Sequence, residues 1–169
     1  MADFRLDTER MYLRPIAESD IDFIAKLRAD ADVMRYYPST LTREQAMEYI
    51  QRTLTRYKED GVGHWLAVDR ATEQPVGVAG ILMQNVHDEK LPEIGYIFWK
   101  EHWRKGLASE AALAIKDYAF NTLHHPFVIS LIREVNIPSQ GVARKMGMKP
   151  WKTSVHADLE HIVFRVDRD

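Results

Sequence analysis

The sequence predicts a single domain of α+β or α/β class, with helices packed on a mixed β-sheet. Two observations carry this prediction. Apolar runs with the composition of strands alternate with segments of helical period along the chain. Two neighbouring strands flank a short turn, which predicts a hairpin, whereas later strands are separated by helices, which predicts strand–helix–strand crossings. The length of 169 residues fits one domain, spanning 1–169, with a sizeable core.

The first third of the chain predicts one strand and two helices. A strand is expected at residues 11–15, where Pro15 ends the pairing. Residues 19–30 carry a helical stripe, with Ser19 as the expected N-cap. A capping-box pattern at residues 42–45 starts a second helix, which ends near residue 60 before two glycines.

The remainder of the chain predicts six strands and two helices. The helices are expected at 106–121 and 139–146, the second closed by Gly147. The expected strands lie at 64–69, 76–82, 93–99, 127–132, 151–156 and 162–167. The first two flank the turn at 71–75 and form the predicted hairpin.

Composition excludes several classes of function. The net charge of −2 argues against a general nucleic-acid binder. No run of about 18 apolar residues is present, so no membrane span is expected. Residues 1–5 lack the basic and apolar regions of a signal peptide. Because cysteine is absent and no histidine spacing is typical of metal ligands, we expect no metal; the simplest location is the cytoplasm.

One segment combines features of an anion-binding site. An apolar strand that contains Glu93 is followed by the basic residues Arg104 and Lys105, by Gly106, and by an alanine-rich helix. A helix N-terminus presents free N–H groups and a positive dipole end, which favour phosphate. Lys105 precedes Gly106, so the segment is not a P-loop, and its single glycine excludes the Gly-x-Gly-x-x-Gly fingerprint of dinucleotide binding.

This segment resembles the GNAT superfamily of acyl-CoA-dependent N-acetyltransferases. The family pattern is Gln/Arg-x-x-Gly-x-Gly/Ala followed by Asn-x-x-Ser and Lys-x-Gly-Phe, and the chain has Trp-Arg-Lys-Gly-Leu-Ala at 103–108, Asn136-Ile-Pro-Ser139 and Lys145-Met-Gly-Met148. The ribosomal-protein N-terminal acetyltransferases are the most similar branch. The resemblance covers most of the chain and implies a central sheet of about seven strands, mostly antiparallel, with about four helices and two splayed parallel strands. Trp103 and Met148 depart from the usual Gln or Arg and Phe.

The resemblance implies a site for acetyl-CoA. The pyrophosphate would bind to the loop at 104–109, and the pantetheine arm would bind along the strand at 96–98. Asn136 would bond this arm, and Lys145 would lie near the CoA end. The expected cofactor-binding residues are Tyr96, Ile97, Phe98, Trp103, Arg104, Lys105, Gly106, Leu107, Ala108, Ser109, Asn136 and Lys145.

Two residues are candidates for catalysis. Glu93 is a carboxylate in an apolar strand, where burial would raise its pKa and suit it to act as a general base through water. Many relatives place a general acid seven residues after the Asn, but Ala143 stands there. Ser139 could donate to the leaving sulfur or could cap the following helix. Because a thiol near pKa 8.5 leaves readily, a strong acid is not required.

The sequence leaves more than one hypothesis for the acceptor of the acetyl group. A protein N-terminal α-amine is the leading hypothesis, and a small amine, amino acid or antibiotic is the alternative. A binding module that holds CoA without catalysis is a third hypothesis, kept open by Ala143. Residues expected near the acceptor are Tyr36, Tyr37, Trp65, Asp158, Glu160 and His161, although core packing suits Trp65 better. The chain is expected to be a monomer or a homodimer.

Overall fold

The computed structural model describes residues 3–169. Residues 1 and 2 lie outside the described part, and with them the start of the segment 1–5 on which the signal-peptide expectation rests. The chain forms eight strands and four α-helices within this range. The strands are β1 (Leu6–Asp7), β2 (Met11–Pro15), β3 (His64–Asp69), β4 (Pro75–Val86), β5 (Glu89–Phe98), β6 (Phe127–Ile132), β7 (Lys149–His156) and β8 (Leu159–Asp167). The helices are α1 (Ile21–Ala29), α2 (Arg43–Glu59), α3 (Leu107–Asn121) and α4 (Ile137–Lys145).

All eight strands belong to one sheet, in the order β1-β2-β3-β4-β5-β6-β8-β7. Every neighbouring pair is antiparallel except β5 and β6, which α3 connects as a parallel crossover. The second predicted crossing, through α4, leads to β7, which pairs with β8 at the edge of the sheet. The predicted mixed sheet is therefore confirmed, with β1 as an additional short strand.

The strands around the centre of the sheet are longer than the sequence predicts. β4 and β5 extend to a two-residue turn at His87 and Asp88, which both have positive φ. Ala157 and Asp158 form a similar turn between β7 and β8. Two-residue hairpin turns favour positive φ, and their usual signal is Asn-Gly or Asp-Gly. Neither turn contains glycine, so the sequence pattern did not reveal where these hairpins close.

Two apolar clusters cover the two faces of the sheet. One joins α3 and α4 to the face that carries Trp65, which is fully buried in this core. The other joins α1 and α2 to the face that carries Leu66, Val78 and Ile97. Side chains alternate between the faces of a strand, so Glu93 and Gly95 lie on the same face as Ile97, towards α1 and α2.

The helix starts differ from the predictions in two places. A 3₁₀ turn at Glu18–Asp20 precedes α1, and Asp20 rather than Ser19 occupies the N-cap of that helix. α4 begins at Ile137, and the side chain of Asn136 caps it by accepting from the Ser139 N–H at 3.2 Å. Ser139 therefore does not serve as the cap. The capping box of α2, with Thr42 and Gln45, is present as predicted. Among the described residues, no helix is both long and apolar enough to cross a membrane.

Candidate active site

The central parallel strands separate after a single paired position. β5 and β6 are in register only at Glu93 and Ile129. Beyond this pair, the Ser130 hydroxyl donates to the Ile94 carbonyl at 2.8 Å, where a backbone bond would otherwise join the strands. The two strands then diverge, and a gap opens between the end of β5 and the end of β6.

Alternation of backbone groups determines which residues of β5 face this gap. The N–H of Trp99 donates to Val76 on β4, so the backbone groups of odd-numbered residues of β5 point towards β4. Those of Ile94, Tyr96 and Phe98 consequently point towards the gap. The Phe98 carbonyl is already bonded to the indole N–H of Trp103 at 2.8 Å.

This alternation separates the predicted pantetheine-binding residues into two groups. Tyr96 and Phe98 can offer backbone groups to a ligand in the gap, whereas Ile97 is paired with Val78 and is buried among the residues of α1 and α2. The part of Trp103 in cofactor binding stays a prediction, and the structure shows a local contact of this residue. Its side chain closes the turn after β5 by bonding to Phe98, and it remains 40% exposed.

Unpaired N–H groups surround the start of α3. Among the described residues, none of the backbone N–H groups of residues 104–109 donates to a protein acceptor, and the ladder of the helix starts with Glu110 donating to Gly106. Arg104 and Gly106 both have positive φ, which turns the chain sharply before the helix. Leu107 is buried in the core, so it can offer a ligand only its backbone. The structure thus presents a row of free donors at a helix N-terminus, an arrangement suited to phosphate.

A side-chain network fixes this loop to the start of the sheet. The Glu110 carboxylate accepts from the Thr8 hydroxyl at 2.6 Å, from the Arg10 N–H at 2.7 Å and from the Arg10 Nε at 2.7 Å. The same guanidinium donates through Nη1 to the Lys105 carbonyl at 2.7 Å. Although burial acts to raise the pKa of Glu110, these hydrogen bonds hold it below its usual value. Arg10 had no recognisable signal in the sequence because its contacts lie about 100 positions away.

Glu93 is a buried carboxylate with two partners. The amide of Gln84 donates to it at 3.0 Å, and the N–H of Leu131 donates at 3.3 Å. Burial raises the pKa of Glu93 to about 7, against these hydrogen bonds, which favour the charged form. A carboxyl group with such a pKa can accept a proton near neutral pH, as a general base requires.

Glu93 lines a cavity that opens at the gap between β5 and β6. The cavity encloses about 900 Å³, including its open mouth. It brings together residues from α1–α2, the central strands, α4 and the β7–β8 hairpin, including Tyr36, Tyr37, His64, Tyr96, Asn136, Ser139 and His161. The predicted acceptor residues Asp158 and Glu160 are not part of its lining, and Trp65 packs in the core.

His64 is a residue of this cavity that the sequence analysis did not single out. Its ring Nδ1 lies 2.8 Å from the Tyr49 hydroxyl, and its carbonyl accepts a hydrogen bond from the Tyr57 hydroxyl. Nε2 is buried and has no partner among the described residues. Burial lowers the pKa of His64 to about 3, assisted by the positive charges of Arg28 and Arg56, so the ring is neutral at physiological pH.

The predicted residues of α4 divide into two groups. Asn136 and Ser139 line the cavity, and Ser139 also accepts through its carbonyl from the Tyr96 hydroxyl at 3.2 Å. Lys145 lies at the exposed C-terminal end of the helix, outside the cavity lining. Ala143 is fully buried in the core, so α4 offers no acid at that position.

Comparison with known proteins identifies the family. A family model described as an acetyltransferase (GNAT) domain matches residues 10–149. The chain belongs to the GNAT acetyltransferase family. This GNAT acetyltransferase is 36% identical to the Bacillus subtilis protein YkkB over 153 residues, which cover 90% of this chain and 89% of YkkB. It is 31% identical to the uncharacterised N-acetyltransferase YoaA of the same organism, over 85% of this chain and 82% of YoaA.

Solved structures show the same fold as this GNAT acetyltransferase. An acetyltransferase from Agrobacterium tumefaciens has a TM-score of 0.85 at 25% identity, and the likeness covers 99% of this chain and 96% of that one. A structure described as a putative ribosomal-protein-serine acetyltransferase from Vibrio cholerae has a TM-score of 0.83 at 20% identity, over 99% of both chains. These comparisons confirm the predicted fold and the assignment as an acetyltransferase.

Proposed function

We propose that this protein, as a single domain over residues 1–169, transfers acetyl from acetyl-CoA directly to a protein N-terminal α-amine. The observation that carries the proposal is the position of Glu93. A buried carboxyl with a pKa near 7 lies where β5 and β6 part, and the unpaired N–H groups of residues 104–109 lie beyond the end of β5. The candidate base thus lies at the gap between β5 and β6, and the candidate anion-binding loop lies beyond the end of β5, which borders the same gap.

The cosubstrate would be held by groups of three kinds. Free N–H groups at 104–109, with the cations Arg104 and Lys105, suit the pyrophosphate. The gap-facing backbone of Tyr96, together with the N–H of Phe98, suits the amides of the pantetheine arm in the manner of an added strand. Asn136 would donate through its side-chain amide, since only its oxygen is used in capping α4.

The transfer needs no covalent intermediate with the enzyme. The lone pair of the neutral amine attacks the thioester carbonyl carbon, and the tetrahedral intermediate collapses with cleavage of the C–S bond. The amine proton passes through a water to Glu93, and CoA leaves as a thiolate that takes up a proton. Ser139 lies in the cavity with its hydroxyl unbonded within the described chain, so it is the candidate donor to the departing sulfur.

The pKa of Glu93 supports an α-amine as the acceptor. An α-amine has a pKa of about 7.7–8.0, whereas a lysine amine has a pKa of about 10.4. A carboxyl with a pKa of about 7 is matched to the first group more closely than to the second. The fold shared with the Vibrio cholerae protein is consistent with this choice.

Calorimetry with acetyl-CoA tests the first step. The native protein should bind acetyl-CoA, and Gly106→Trp should abolish binding because an indole would occupy the anion-binding loop and Gly106 has φ +79°. Gly141→Trp provides a control, since a Cβ at position 141 would meet nothing within 4 Å. Absence of binding by the native protein would refute the proposal.

Kinetics with Glu93→Gln tests catalysis. Loss of the base should lower kcat by about 10²–10⁴-fold, while acetyl-CoA binding persists. Unchanged turnover would refute the assignment of Glu93. Binding of acetyl-CoA without turnover of any amine would instead establish the silent CoA-binding module.

Mass spectrometry with a mixed panel of acceptors tests the substrate class. Acetylated peptide N-termini without small-molecule products are the expected result. Turnover restricted to small amines, amino acids or antibiotics would refute the protein acceptor and leave the acetyltransferase activity intact.

A further inference from the structure

His64 is a buried polar group that the mechanism above does not use. It lies on β3, opposite Gly80 on β4, which in turn lies opposite Gly95 on β5. The imidazole therefore extends across glycine positions towards the centre of the sheet. It is 8% exposed and lines the cavity that contains Glu93.

The hydrogen bond with Tyr49 determines which ring nitrogen carries the proton. The Tyr49 hydroxyl has no other acceptor within the described chain. If the hydroxyl donates to Nδ1, the proton of the neutral ring resides on Nε2, and this N–H is the single group of the hydrogen-bonded pair left without a partner. If Nδ1 donated instead, two groups would be left without a partner, the Tyr49 hydroxyl hydrogen and the Nε2 lone pair. The geometry thus favours a buried Nε2–H group, without a partner among the described residues, on a residue that lines the cavity.

An unpaired donor in this place is costly unless a ligand accepts from it. A buried N–H without a partner destabilises the fold because it has lost its hydrogen bond to water and gained none in return. The Nε2 atom lies 3.0 Å from the position that a Cβ would take at residue 95, so the absence of a side chain at Gly95 makes room for the imidazole at this place. An oxygen of a substrate in the cavity beside the ring could accept this hydrogen bond.

The spacing of Glu93 and Gly95 fits a reaction centre between a base and a donor. Residues two apart on one face of a strand are about 6.6–6.8 Å from each other. His64 reaches the position of Gly95, and Glu93 lies two residues away on the same face. A carbonyl carbon under attack could then have its oxygen near Nε2 and the incoming amine near the carboxylate, each at hydrogen-bonding distance.

We propose that the Nε2–H of His64 donates a hydrogen bond to the thioester carbonyl oxygen of acetyl-CoA and stabilises the oxyanion that forms on it. This inference rests on the proposed acetyl transfer. The donor to the carbonyl oxygen is distinct from the donor to the departing sulfur, for which Ser139 is the candidate. Tyr49 is a positioning residue, because it holds the ring in the tautomer that can donate.

The balance of the reaction is unaltered by this hydrogen bond. The proton stays on Nε2 while the amine adds to the carbonyl and negative charge develops on the oxygen. When the C–S bond breaks, the carbonyl reforms and the charge leaves with the thiolate. A neutral imidazole is sufficient because it donates a hydrogen bond and neither loses nor gains a proton during the reaction.

A matched pair of variants tests the role of the donor. His64→Leu removes the N–H and should lower kcat by about 10²–10³-fold with little change in KM, since an oxyanion donor acts in the transition state. His64→Gln offers an amide N–H in a similar place and should recover a substantial part of kcat. Equal kcat values in the native protein and His64→Leu would overturn the proposal. So would a rise in KM that depends on the acceptor with kcat unchanged, because the donor would then contact the acceptor.

Two spectroscopic measurements separate catalysis from a structural role. The infrared stretch of acetyl-CoA labelled with ¹³C at the thioester carbonyl should lie at lower frequency when bound to the native protein than when bound to His64→Leu. Nitrogen-15 NMR should show the proton on Nε2 in the native protein and a mixture of tautomers in Tyr49→Phe. An identical carbonyl frequency in both proteins, or a proton on Nδ1, would overturn the proposal.

These readouts distinguish failure of this inference from failure of the proposed function. If acetyl-CoA binds and Glu93→Gln slows turnover but the carbonyl frequency is unaffected by His64→Leu, only the role of His64 fails. If the native protein does not bind acetyl-CoA in calorimetry, the proposed function fails and the role of His64 fails with it. Thermal unfolding of each variant checks that His64→Leu remains folded during these measurements.

Discussion

At the scale of single residues, burial rather than a charged neighbour sets the chemistry of the cavity. Glu93 and His64 are both buried, and in each case the charged form is disfavoured. The pKa of Glu93 is raised and that of His64 is lowered, but the consequence is the same: in each group the uncharged form is favoured. Glu93 can therefore accept a proton near pH 7, and His64 remains an uncharged hydrogen-bonding group.

The raised pKa of Glu93 predicts how stability depends on pH. The folded state holds a proton on Glu93 up to a pKa of about 7, whereas the unfolded state releases it near 4.5. Stability contributed by the neutral form is present below pH 4.5 and is lost as the pH rises through 7, by about 3 kcal/mol in total. Glu93→Gln should lose this dependence on pH. The free energy of unfolding of the variant should therefore rise relative to that of the native protein between pH 4 and pH 8.

Urea unfolding at a series of pH values measures this effect. Glu110→Gln is the control, because the pKa of Glu110 is lowered and its contribution should vanish as the pH falls rather than as it rises. A difference between Glu93→Gln and the native protein that is constant from pH 4 to pH 8 would contradict the prediction.

At the scale of elements, a contact distant in sequence holds the anion-binding loop. The N-terminus of α3 is exposed at Lys105 and Gly106, and its position depends on Arg10, just before β2. The guanidinium joins Glu110 in the first turn of α3 to the carbonyl of Lys105, which precedes the helix. These three groups are thereby fixed relative to each other, as the proposed pyrophosphate site requires.

Removal of this link should weaken binding of acetyl-CoA. Arg10→Met keeps much of the side-chain volume but loses the hydrogen bonds to Glu110 and Lys105, so the loop would have to be ordered by the ligand. We expect the Kd measured by calorimetry to rise about tenfold, which corresponds to about 1.4 kcal/mol.

Arg5→Met is the matched control for this experiment. Arg5 pairs with the exposed Asp7 of β1 and makes no hydrogen bond to Glu110 or Lys105 within the described chain, so its removal should leave Kd within about twofold. Equal changes in Kd for the two variants would mean that general surface charge, rather than the link from Arg10, supports binding.

At the scale of the whole molecule, the sheet consists of two antiparallel parts joined at β5 and β6. One part contains β1 to β5, and the other contains β6, β8 and β7. The parallel junction has a single position in register and the hydrogen bond from Ser130 to Ile94. The helices and the core on both faces keep the two parts together on either side of the gap.

Ser130→Ala should weaken this junction. The hydroxyl is buried and its loss leaves the carbonyl of Ile94 unsatisfied, so we expect the free energy of unfolding to fall by about 1–2 kcal/mol. A ligand that bridges the gap should add stability to both proteins, by about 2.7 kcal/mol at a concentration of one hundred times Kd.

Chemical denaturation with and without acetyl-CoA measures both effects. Ser154→Ala provides the control, since Ser154 is buried in β7 and its hydroxyl makes no hydrogen bond within the described chain. A loss of stability in Ser154→Ala equal to that in Ser130→Ala would show that the hydrogen bond to Ile94 does not strengthen the junction.

Local patterns were sufficient to predict much of the architecture. The order of strands and helices, the capping box of α2 and the junction from β5 to α3 all depend on residues close in sequence, and the structure contains each of them. The tight turns at His87 and Ala157 were not predicted because they contain no glycine. The start of α4 was placed two residues late because Asn136, rather than Ser139, supplies the cap.

The sequence by itself determined the fold class, the family resemblance and the choice of Glu93 as candidate base, because these depend on residue types at short and regular spacing. Only the tertiary structure decided what surrounds that carboxylate. Gln84, His64 and Tyr49 meet at or beside the cavity through strand register and helix packing, and Arg10 reaches α3 across about 100 positions of the chain. Burial and hydrogen bonding between distant segments set the protonation states of Glu93 and His64 and the orientation of their side chains. These properties exist only when the chain is folded.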